Sequence, residues 1–277
     1  MLLRFTKMHG LGNDFMVVDL VTQRYKFNSQ MVKRLGDRKL GVGFDQLLII
    51  EIPSDPDMDF RYRIFNADGS EVEHCGNGAR CFAQFVREKR LSVKKQLKVE
   101  TAKGKMLLTI REDRQVEVDM GAPVLTPAEI PFLAQSQQIS YSLQVADQQL
   151  EITAVSMGNP HGVIVVDDVH TTAVGELGPA VQSLSCFPSG ANIGFMQIVS
   201  ETEINLRVYE RSVGETLACG TGACAAVVAG RLRGLLAERV KVNVTGGALE
   251  IFWRGGCEDP VIMTGPATNV FEGKMFI

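Results

Sequence analysis

The pattern of hydrophobic and polar positions along the chain predicts many short strands. Apolar residues alternate with polar ones, or run uninterrupted, over short stretches that glycine, asparagine, aspartate or proline separate. The predicted strands are Leu2–Lys7, Phe15–Asp19, Gln46–Glu51, Phe60–Phe65, Leu97–Thr101, Lys105–Arg111, Val116–Met120, Tyr141–Val145, Glu151–Ser156, Gly162–Val166, Phe195–Val199, Glu203–Val208, Val240–Val244 and Ala248–Trp253.

Few segments have the periodicity of a helix. Apolar residues at helical spacing predict two long helices, at Gly76–Lys89 and Gly220–Leu236, and shorter ones near Gln30–Arg38 and Ala173–Ser185. Many short strands around few helices predict an α+β fold with mostly antiparallel sheets, and argue against a doubly wound parallel sheet. The proline-containing stretch Gly121–Pro131 is the predicted boundary between two domains.

An internal repeat relates the two halves of the chain. Cys75-Gly-Asn-Gly-Ala opens the first long helix, and Cys219-Gly-Thr-Gly-Ala opens the second. Other residues precede the two cysteines at the same or nearly the same distances, in the pairs Asn66 and Glu210, Asn13 and Asn159, and Gln46 and Asn192. Matched landmarks in the same order indicate two homologous halves, and the sequence therefore predicts two similar domains.

Composition and charge limit the classes of function. The chain has 277 residues, enough for two domains, and its net charge of −3 provides no general attraction to nucleic acid or an anionic membrane. Its six cysteines are too few for a disulfide scaffold. Residues 1–10 lack the features of a signal peptide, and no apolar stretch is long enough to span a membrane. We therefore expect a cytoplasmic protein with reduced cysteines.

The repeated motif places a thiol at the start of a helix. The first N–H groups of a helix lack intrahelical partners, and the helix dipole adds partial positive charge there. A thiolate at this position is stabilised, which predicts a lowered thiol pKa at Cys75 and at Cys219. The neighbouring glycines leave the N–H groups free to hold a carboxylate. Each motif is thus predicted to be a base beside an anion site.

Two such sites suit the inversion of a carbon next to a carboxylate. One thiolate removes the α-proton from one face, and a thiol delivers a proton to the other face. We expect the two sites to be related by a pseudo-twofold axis and to face each other across a cleft. The helix N-termini would stabilise the charge that develops as the proton leaves. Such a route needs no pyridoxal phosphate.

Other readings of the motif explain less. The spacings of Cys75 to Cys81 and of Cys219 to Cys224 differ from those of zinc sites, and no dinucleotide-binding or Walker A motif is present. Glycines at a helix start beside a buried cysteine would explain one motif, but retention of the cysteine in both halves favours a function. Cys81, Cys186, Cys224 and Cys257 are expected to be small core or loop residues.

The chain closely resembles the diaminopimelate epimerase family. The resemblance rests on Met8–Phe15, Gly43–Gln46, Phe65–Gly69, Cys75–Arg80, Gly158–His161, Ala191-Asn192, Glu210-Arg211 and Cys219–Ala223. It implies two domains, each an antiparallel β-barrel-like sheet wrapped around a central helix, with boundaries at 1–120 plus 265–277 and 121–264. It also implies a homodimer without cofactor or metal, acting on LL- and meso-diaminopimelate for lysine and peptidoglycan precursor synthesis.

The resemblance also implies roles for individual residues. Cys75 and Cys219 correspond to the acid/base pair, and His161 and Glu210 to groups that tune their pKa values. The reacting carboxylate would be held by the backbones of Gly76, Asn77, Gly220 and Thr221. The rest of the substrate would be held by the side chains of Asn13, Gln46, Asn66, Asn159, Asn192, Glu210 and Arg211. Arginine suits a fixed carboxylate, and amides can bind an ammonium group without adding charge.

Three alternatives remain open on the sequence. Proline racemase-like enzymes also use paired cysteines, but usually carry histidine at the position of Asn77. Phenazine-biosynthesis relatives lack the cysteine pair. A non-catalytic amino-acid binding protein could use the same two domains, although retention of both thiols argues against it. An α-proton exchange assay in D2O would separate an enzyme from a binding protein.

Overall fold

A computed structural model describes residues 2–72, 75–102, 104–145 and 148–276. The chain divides into two compact units, one formed by Met1–Asp119 with Gly265–Ile277 and the other by Met120–Thr264. We refer to them as unit 1 and unit 2. Among the described residues no helix combines the length and the apolar character that crossing a membrane requires.

Eighteen strands and four α-helices form the described part of the two units. The helices are α1 (Ser29–Gly36), α2 (Gly76–Glu88), α3 (Val174–Gln182) and α4 (Gly220–Leu232). The strands are β1 (Leu2–Gly10), β2 (Asn13–Asp19), β3 (Gln46–Glu51), β4 (Phe60–Asn66), β5 (Glu71–Val72), β6 (Gln96–Thr101), β7 (Gly104–Ile110), β8 (Val116–Asp119), β9 (Tyr141–Val145), β10 (Gln148–Ser156), β11 (Pro160–Val165), β12 (Asn192–Ser200), β13 (Glu203–Glu210), β14 (Gly214–Thr216), β15 (Arg239–Val244), β16 (Gly247–Phe252), β17 (Ile262–Gly265) and β18 (Thr268–Phe276).

The sheet of unit 1 is mostly antiparallel. Antiparallel pairs join β18 to β1, β1 to β2, β3 to β4, β4 to β5, β6 to β7 and β7 to β8. Two pairs are parallel, β2 with β3 and β4 with β6. Parallel strands need a crossover connection, and α1 and α2 lie in the two crossovers.

The sheet of unit 2 has the same pattern. Antiparallel pairs join β9 to β10, β10 to β11, β12 to β13, β13 to β14, β15 to β16 and β16 to β17. Its parallel pairs are β11 with β12 and β13 with β15, and their crossovers contain α3 and α4. The internal repeat of the sequence is thus a repeat of backbone topology. The expected α+β fold is confirmed, with two parallel pairs in each otherwise antiparallel sheet.

One helix forms the centre of each unit. All residues of α2 from Gly76 to Val86 are buried, and α2 packs against β1, β2, β3, β7 and β8. In α4, Gly220 and residues 222–230 are buried, and the helix packs against β10, β11, β12, β13 and β16. A helix that is buried on all sides needs side chains that are apolar or small, or polar ones that are hydrogen-bonded, as Arg80 of α2 is. The alanines, valines and glycines of α4 satisfy this requirement.

Both central helices end earlier than the sequence predicts. Leu91 N donates to Val86 O at 3.0 Å, and Leu235 N donates to Gly230 O at 2.8 Å. These bonds close a C-terminal turn whose central residue has a left-handed backbone, Arg90 (φ 55°) after α2 and Gly234 (φ 70°) after α4. The turn stops α2 at Glu88 and α4 at Leu232, although apolar residues continue beyond α4.

Candidate active site

The first predicted site residue of each unit follows a tight turn. In unit 1, Leu11 (φ 57°) and Gly12 (φ 92°) form the two-residue loop that joins β1 to β2, and Asn13 begins β2. This pair of left-handed residues matches the twist of a two-residue hairpin. In unit 2, Ser156 pairs with Pro160 around a loop that contains Gly158 (φ 88°) and Asn159. Each turn thus places an asparagine at one end of its sheet.

Cys75 caps the N-terminus of α2. Its backbone is extended, and its Sγ accepts a hydrogen bond from Gly78 N at 3.4 Å. The Sγ atom also lies 3.8 Å from Oδ1 of Asn13, to which the thiol donates. The same oxygen accepts from Nδ2 of Asn77 at 3.3 Å. Unit 1 therefore brings Asn13, Cys75 and Asn77 into one hydrogen-bonded group.

The second glycine of the Cys75 motif has a packing reason. A Cβ atom at Gly78 would overlap with the hydroxyl oxygen of Tyr62. The Tyr62 hydroxyl reaches the start of α2, where it donates to Cys75 O at 3.4 Å. Burial raises the pKa of Tyr62 well above its usual value, with a further contribution from Cys75. The hydroxyl therefore keeps its proton for this bond.

Gln46 and Asn66 lie side by side on β3 and β4. They are register partners, and Nε2 of Gln46 donates to Oδ1 of Asn66 at 2.9 Å. Nδ2 of Asn66 in turn donates to Oγ of Ser70 at 3.2 Å. The other amide atom of Gln46, Oε1, is buried and has no hydrogen-bond partner among the described residues. Such an acceptor can bind an ammonium group.

Cys219 occupies the N-cap position of α4 in unit 2, but its surroundings differ from those of Cys75. The residue is buried, and Sγ lies 3.6 Å from Oγ1 of Thr221. Burial raises the pKa of the Cys219 thiol well above its usual value, and the nearby carboxylate of Glu210 adds to this increase. The predicted lowering of the Cys219 pKa is therefore wrong. The loss of hydration outweighs the helix N-terminus, so the structure favours the neutral thiol.

Glu210 is held in place by a neighbouring hydroxyl. Oγ1 of Thr216, on β14, donates to Oε1 of Glu210 at 2.5 Å. The side chain of Glu210 also hydrogen-bonds with Cys219. One carboxylate therefore touches both a fixed hydroxyl and the thiol, and Thr216 is a site residue that the sequence analysis missed.

His161, Asn159, Asn192 and Arg211 form the rest of the site in unit 2. His161 is buried on β11 as the register partner of Asn192 on β12. Its Nε2 lies 3.1 Å from Oδ1 of Asn159, so Nε2 donates. Oδ1 of Asn192 accepts from Arg211 N at 2.8 Å. Burial lowers the pKa of His161 to about 3, so the imidazole is neutral at ordinary pH.

Arg211 is only partly engaged by the protein. Its side chain is exposed, and Nη1 donates to Ser189 O at 2.8 Å. A guanidinium has five N–H donors, so most of its binding capacity is available to a ligand.

An ion pair missed by the sequence analysis recurs at the same place in both units. Arg63 Nε donates to Glu71 at 2.7 Å, and Arg207 Nε donates to Glu215 at 2.6 Å, each with a second bond from Nη2. Each pair joins the two strands of the hairpin that precedes a motif cysteine. The repeat contained this signal, because each arginine and glutamate precedes its cysteine at the same distance.

Solved structures share this fold. The chain is similar to a phenazine biosynthesis protein of the PhzF family from Bacillus anthracis, with a TM-score of 0.72, 18% identity and full coverage of both chains. It is also similar to a probable proline racemase from Agrobacterium radiobacter K84, with a TM-score of 0.71 and 15% identity over 99% of this chain and 93% of the other. The fold and the site together define the class of the protein: two units of the same topology, each with a central helix that begins at a cysteine.

Sequence comparisons identify the family within the class. The family model for diaminopimelate epimerase matches residues 5–126 and 153–270. A diaminopimelate epimerase from Pseudomonas paraeruginosa is 60% identical over 99% of both chains, and one from Stutzerimonas stutzeri is 58% identical with the same coverage. This chain belongs to the diaminopimelate epimerase family.

Proposed function

We propose that this chain interconverts LL- and meso-diaminopimelate, a step that serves lysine and peptidoglycan precursor synthesis. The observation that carries the proposal is the repeated helix N-terminus with a cysteine at its N-cap position, in a chain 60% identical to relatives named for this activity. We assign units 1 and 2 as its two homologous domains.

Inversion needs a proton acceptor and a proton donor on opposite faces of one carbon, and we assign these roles to Cys75 and Cys219. Cys219 supports the donor role in one direction, because its raised pKa keeps the proton on sulfur. Cys75 is then the base that removes the α-proton. Transfer of that proton to Cys75 and of the Cys219 proton to the carbon exchanges their states. The reverse reaction therefore runs with the roles exchanged.

The α-proton is weakly acidic, so the charge that forms as it leaves must be stabilised. We assign this to the first backbone N–H groups of α2 and α4, at Gly76, Asn77, Gly220 and Thr221, which would hold the reacting carboxylate. Free N–H groups and the helix dipole both favour negative charge there. No pyridoxal phosphate is needed in this scheme, and no metal.

The polar side chains around the thiols suit a zwitterion with two ammonium and two carboxylate groups. We assign Asn13, Gln46, Asn66, Asn159, Asn192 and Glu210 to the ammonium groups and to orientation of the substrate. The buried oxygen Oε1 of Gln46 supports this role, since it lacks a partner among the described residues. The exposed guanidinium of Arg211 is assigned to the distal carboxylate, which it can bind with two N–H groups.

His161 and Glu210 are assigned to tuning of the thiols. The Glu210 carboxylate raises the pKa of Cys219 and so discourages a second negative charge beside it. The neutral imidazole of His161 provides a polar group without charge. Thus the carboxylate disfavours a thiolate at Cys219, and the neutral histidine adds no positive charge that would favour one.

The experiment is α-proton exchange in D2O followed by NMR, with meso-diaminopimelate as substrate and L-proline as control. We expect exchange and epimerisation of diaminopimelate only, and loss of both in Cys75→Ala and in Cys219→Ala. Exchange with proline in place of diaminopimelate would indicate a proline racemase-like enzyme. Binding of diaminopimelate without exchange would indicate a binding protein.

We also propose a cytoplasmic homodimer. Exposed apolar side chains lie on the β1–β18 ribbon, at Leu2, Val270, Phe271 and Phe276, and Leu2 and Phe276 are register partners. The paired Leu2 and Phe276 leave apolar surface in water, which a second copy of the chain would cover. Light scattering should give the mass of two chains, and Phe276→Glu should shift the protein toward one. A wild-type protein that stays monomeric at micromolar concentration would contradict the dimer.

A further inference from the structure

We propose that Asp45 and Arg80 are positioning residues at the two ends of a one-way hydrogen-bond chain through the amides of Asn77 and Asn13. This hydrogen-bond chain presents the carbonyl oxygen of Asn13, and not its NH2 group, to the thiol of Cys75. The inference rests on the proposed function in one respect, that Cys75 is the reacting thiol of unit 1.

Arg80 is the donor end of the chain. Its side chain lies on α2 and is fully buried, with 0% exposure. Nη2 donates to Oδ1 of Asn77 at 3.0 Å, and Nε donates to Pro266 O at 3.1 Å. A guanidinium has donors and no acceptor. Asn77 must therefore turn its oxygen toward Arg80 and its NH2 group away from it.

The middle of the chain carries this direction onward. Nδ2 of Asn77 donates to Oδ1 of Asn13 at 3.3 Å, and Nδ2 of Asn13 donates to Oδ2 of Asp45 at 3.0 Å. An ionised carboxylate accepts and cannot donate, so Asp45 is the acceptor end. The two ends require the same orientation of both amides, and reversal of either amide would set donor against donor.

Asp45 is itself held by charged neighbours. Its Oδ1 accepts from Arg38 Nη2 at 2.7 Å, and its Oδ2 accepts from Asp14 N at 3.1 Å. Burial alone would raise the pKa of Asp14, but hydrogen bonds from Arg38 and Lys7 hold it well below its usual range. The cluster therefore stays charged at neutral pH.

The effect of Asp45 is on orientation more than on stability. Its side chain is 44% exposed, and that of its partner Arg38 is 58% exposed. An ion pair this exposed contributes little to the stability of the fold. Removing the charge of Asp45 should therefore leave the fold intact while it frees the amide of Asn13 to turn.

The orientation matters because it decides which state of the thiol is favoured. Oδ1 of Asn13 lies 3.8 Å from Sγ of Cys75 and accepts from the thiol, which favours the protonated form. An NH2 group at the same place would donate to sulfur and favour the thiolate. Two titratable groups that interact with Cys75 are Tyr62 on β4 and Cys81 on α2, and the charge of Arg80 acts on both of them.

The hydrogen-bond chain belongs to unit 1, and the sequence of unit 2 does not repeat its two ends. The repeat aligns Asp45 with Ala191, because Gln46 corresponds to Asn192, and it aligns Arg80 with Cys224. Neither counterpart can act as an end of such a chain. A change at Asp45 should therefore affect Cys75 and leave Cys219 unaffected.

Asp45→Asn of the full chain tests the proposal. Arg38 would take the amide oxygen of the new residue, which places its NH2 group against the NH2 of Asn13. We measure the rate at which iodoacetamide alkylates Cys75 and Cys219 against pH, by peptide mapping. The midpoint for Cys75 should move to lower pH by about half a unit or more, with Cys219 unchanged. In the direction in which Cys75 donates its proton, kcat for epimerisation should fall about tenfold, because the variant favours the thiolate.

Two further variants make the result specific. Asp45→Glu keeps an acceptor-only group and should return the Cys75 profile toward wild type. Asp37→Asn removes an exposed carboxylate that caps Lys39 N and Leu40 N, and should change neither profile. An unchanged Cys75 profile in folded Asp45→Asn, or an equal shift at both thiols, would overturn the proposal. Wild-type protein without epimerase activity would instead refute the proposed function. The alkylation profiles would still test the hydrogen-bond chain from Arg80 to Asp45.

Discussion

The carboxylate of Glu210 lies against the thiol of Cys219, where its negative charge adds to the effect of burial and holds the proton on sulfur. The hydroxyl of Thr216 anchors the same carboxylate at 2.5 Å. A carboxylate fixed in this way can set the charge state of the thiol without taking part in proton transfer.

Neutralising Glu210 should make Cys219 more acidic. In Glu210→Gln the side chain keeps its size but loses the charge that raises the thiol pKa. The pH profile for alkylation of Cys219 should therefore move to lower pH, and the profile for Cys75 should move less. Glu176→Gln, an exposed glutamate of α3, serves as the control. A Cys219 profile identical to wild type would mean that Glu210 does not act on the thiol.

Replacing His161 should change how stability depends on pH. Burial lowers the His161 pKa to about 3 from 6.5, so below pH 6.5 the unfolded chain binds a proton that the folded chain does not. Folding stability is therefore lost as the pH falls through this window. Between pH 7 and pH 5 the loss from this group should be about 2 kcal/mol, measured by urea unfolding.

His161→Phe is the matched variant, because Phe15 occupies the corresponding position in unit 1, as the register partner of Gln46. The variant should lack that part of the pH dependence. Equal losses of stability in wild type and variant would show that His161 takes up its proton in the folded state.

Each motif cysteine should be required for epimerisation. Cys75→Ala and Cys219→Ala should each lower turnover of diaminopimelate at least about 100-fold, because each removes one of the two proton-transfer groups. Cys257→Ala is the control, since Cys257 is an exposed free cysteine outside the motifs. A motif variant that keeps a tenth of wild-type turnover would contradict the two-thiol assignment.

Arg211 should determine capture of the distal carboxylate. Arg211→Ala should lower kcat/KM for diaminopimelate by on the order of tenfold to a hundredfold, since a hydrogen bond to a charged group contributes about 1.5–3 kcal/mol. Arg211→Lys should recover part of the loss, because it keeps the charge but not the paired donors. Arg24→Ala, at an exposed arginine, is the control. Unchanged kcat/KM in Arg211→Ala would make its contact with Ser189 a structural one.

The spacing of hydrophobic residues and the turn residues between the segments were enough to predict most strands and both central helices. It did not reveal the short strands β5, β14 and β17 or the last strand, β18. Within the described residues β5 has two residues and β14 has three, too few to show a period, and the exposed side chains of β18 are a mixture of apolar and charged residues. Such segments become strands through pairing with other strands. β18, for example, is formed by its hydrogen bonds to β1, which lies far away in the sequence.

The sequence by itself determined the duplication, the two cysteines at helix N-termini and the family to which the chain belongs. These depend on residue type and order along the chain. Only the tertiary structure decided that the Cys219 pKa is raised rather than lowered, since that depends on burial and on how close Glu210 lies. It also revealed Thr216, Asp45 and Arg80, whose importance comes from their contacts with site residues. Distance and solvent access set electrostatic energies, and neither can be read from the order of the residues.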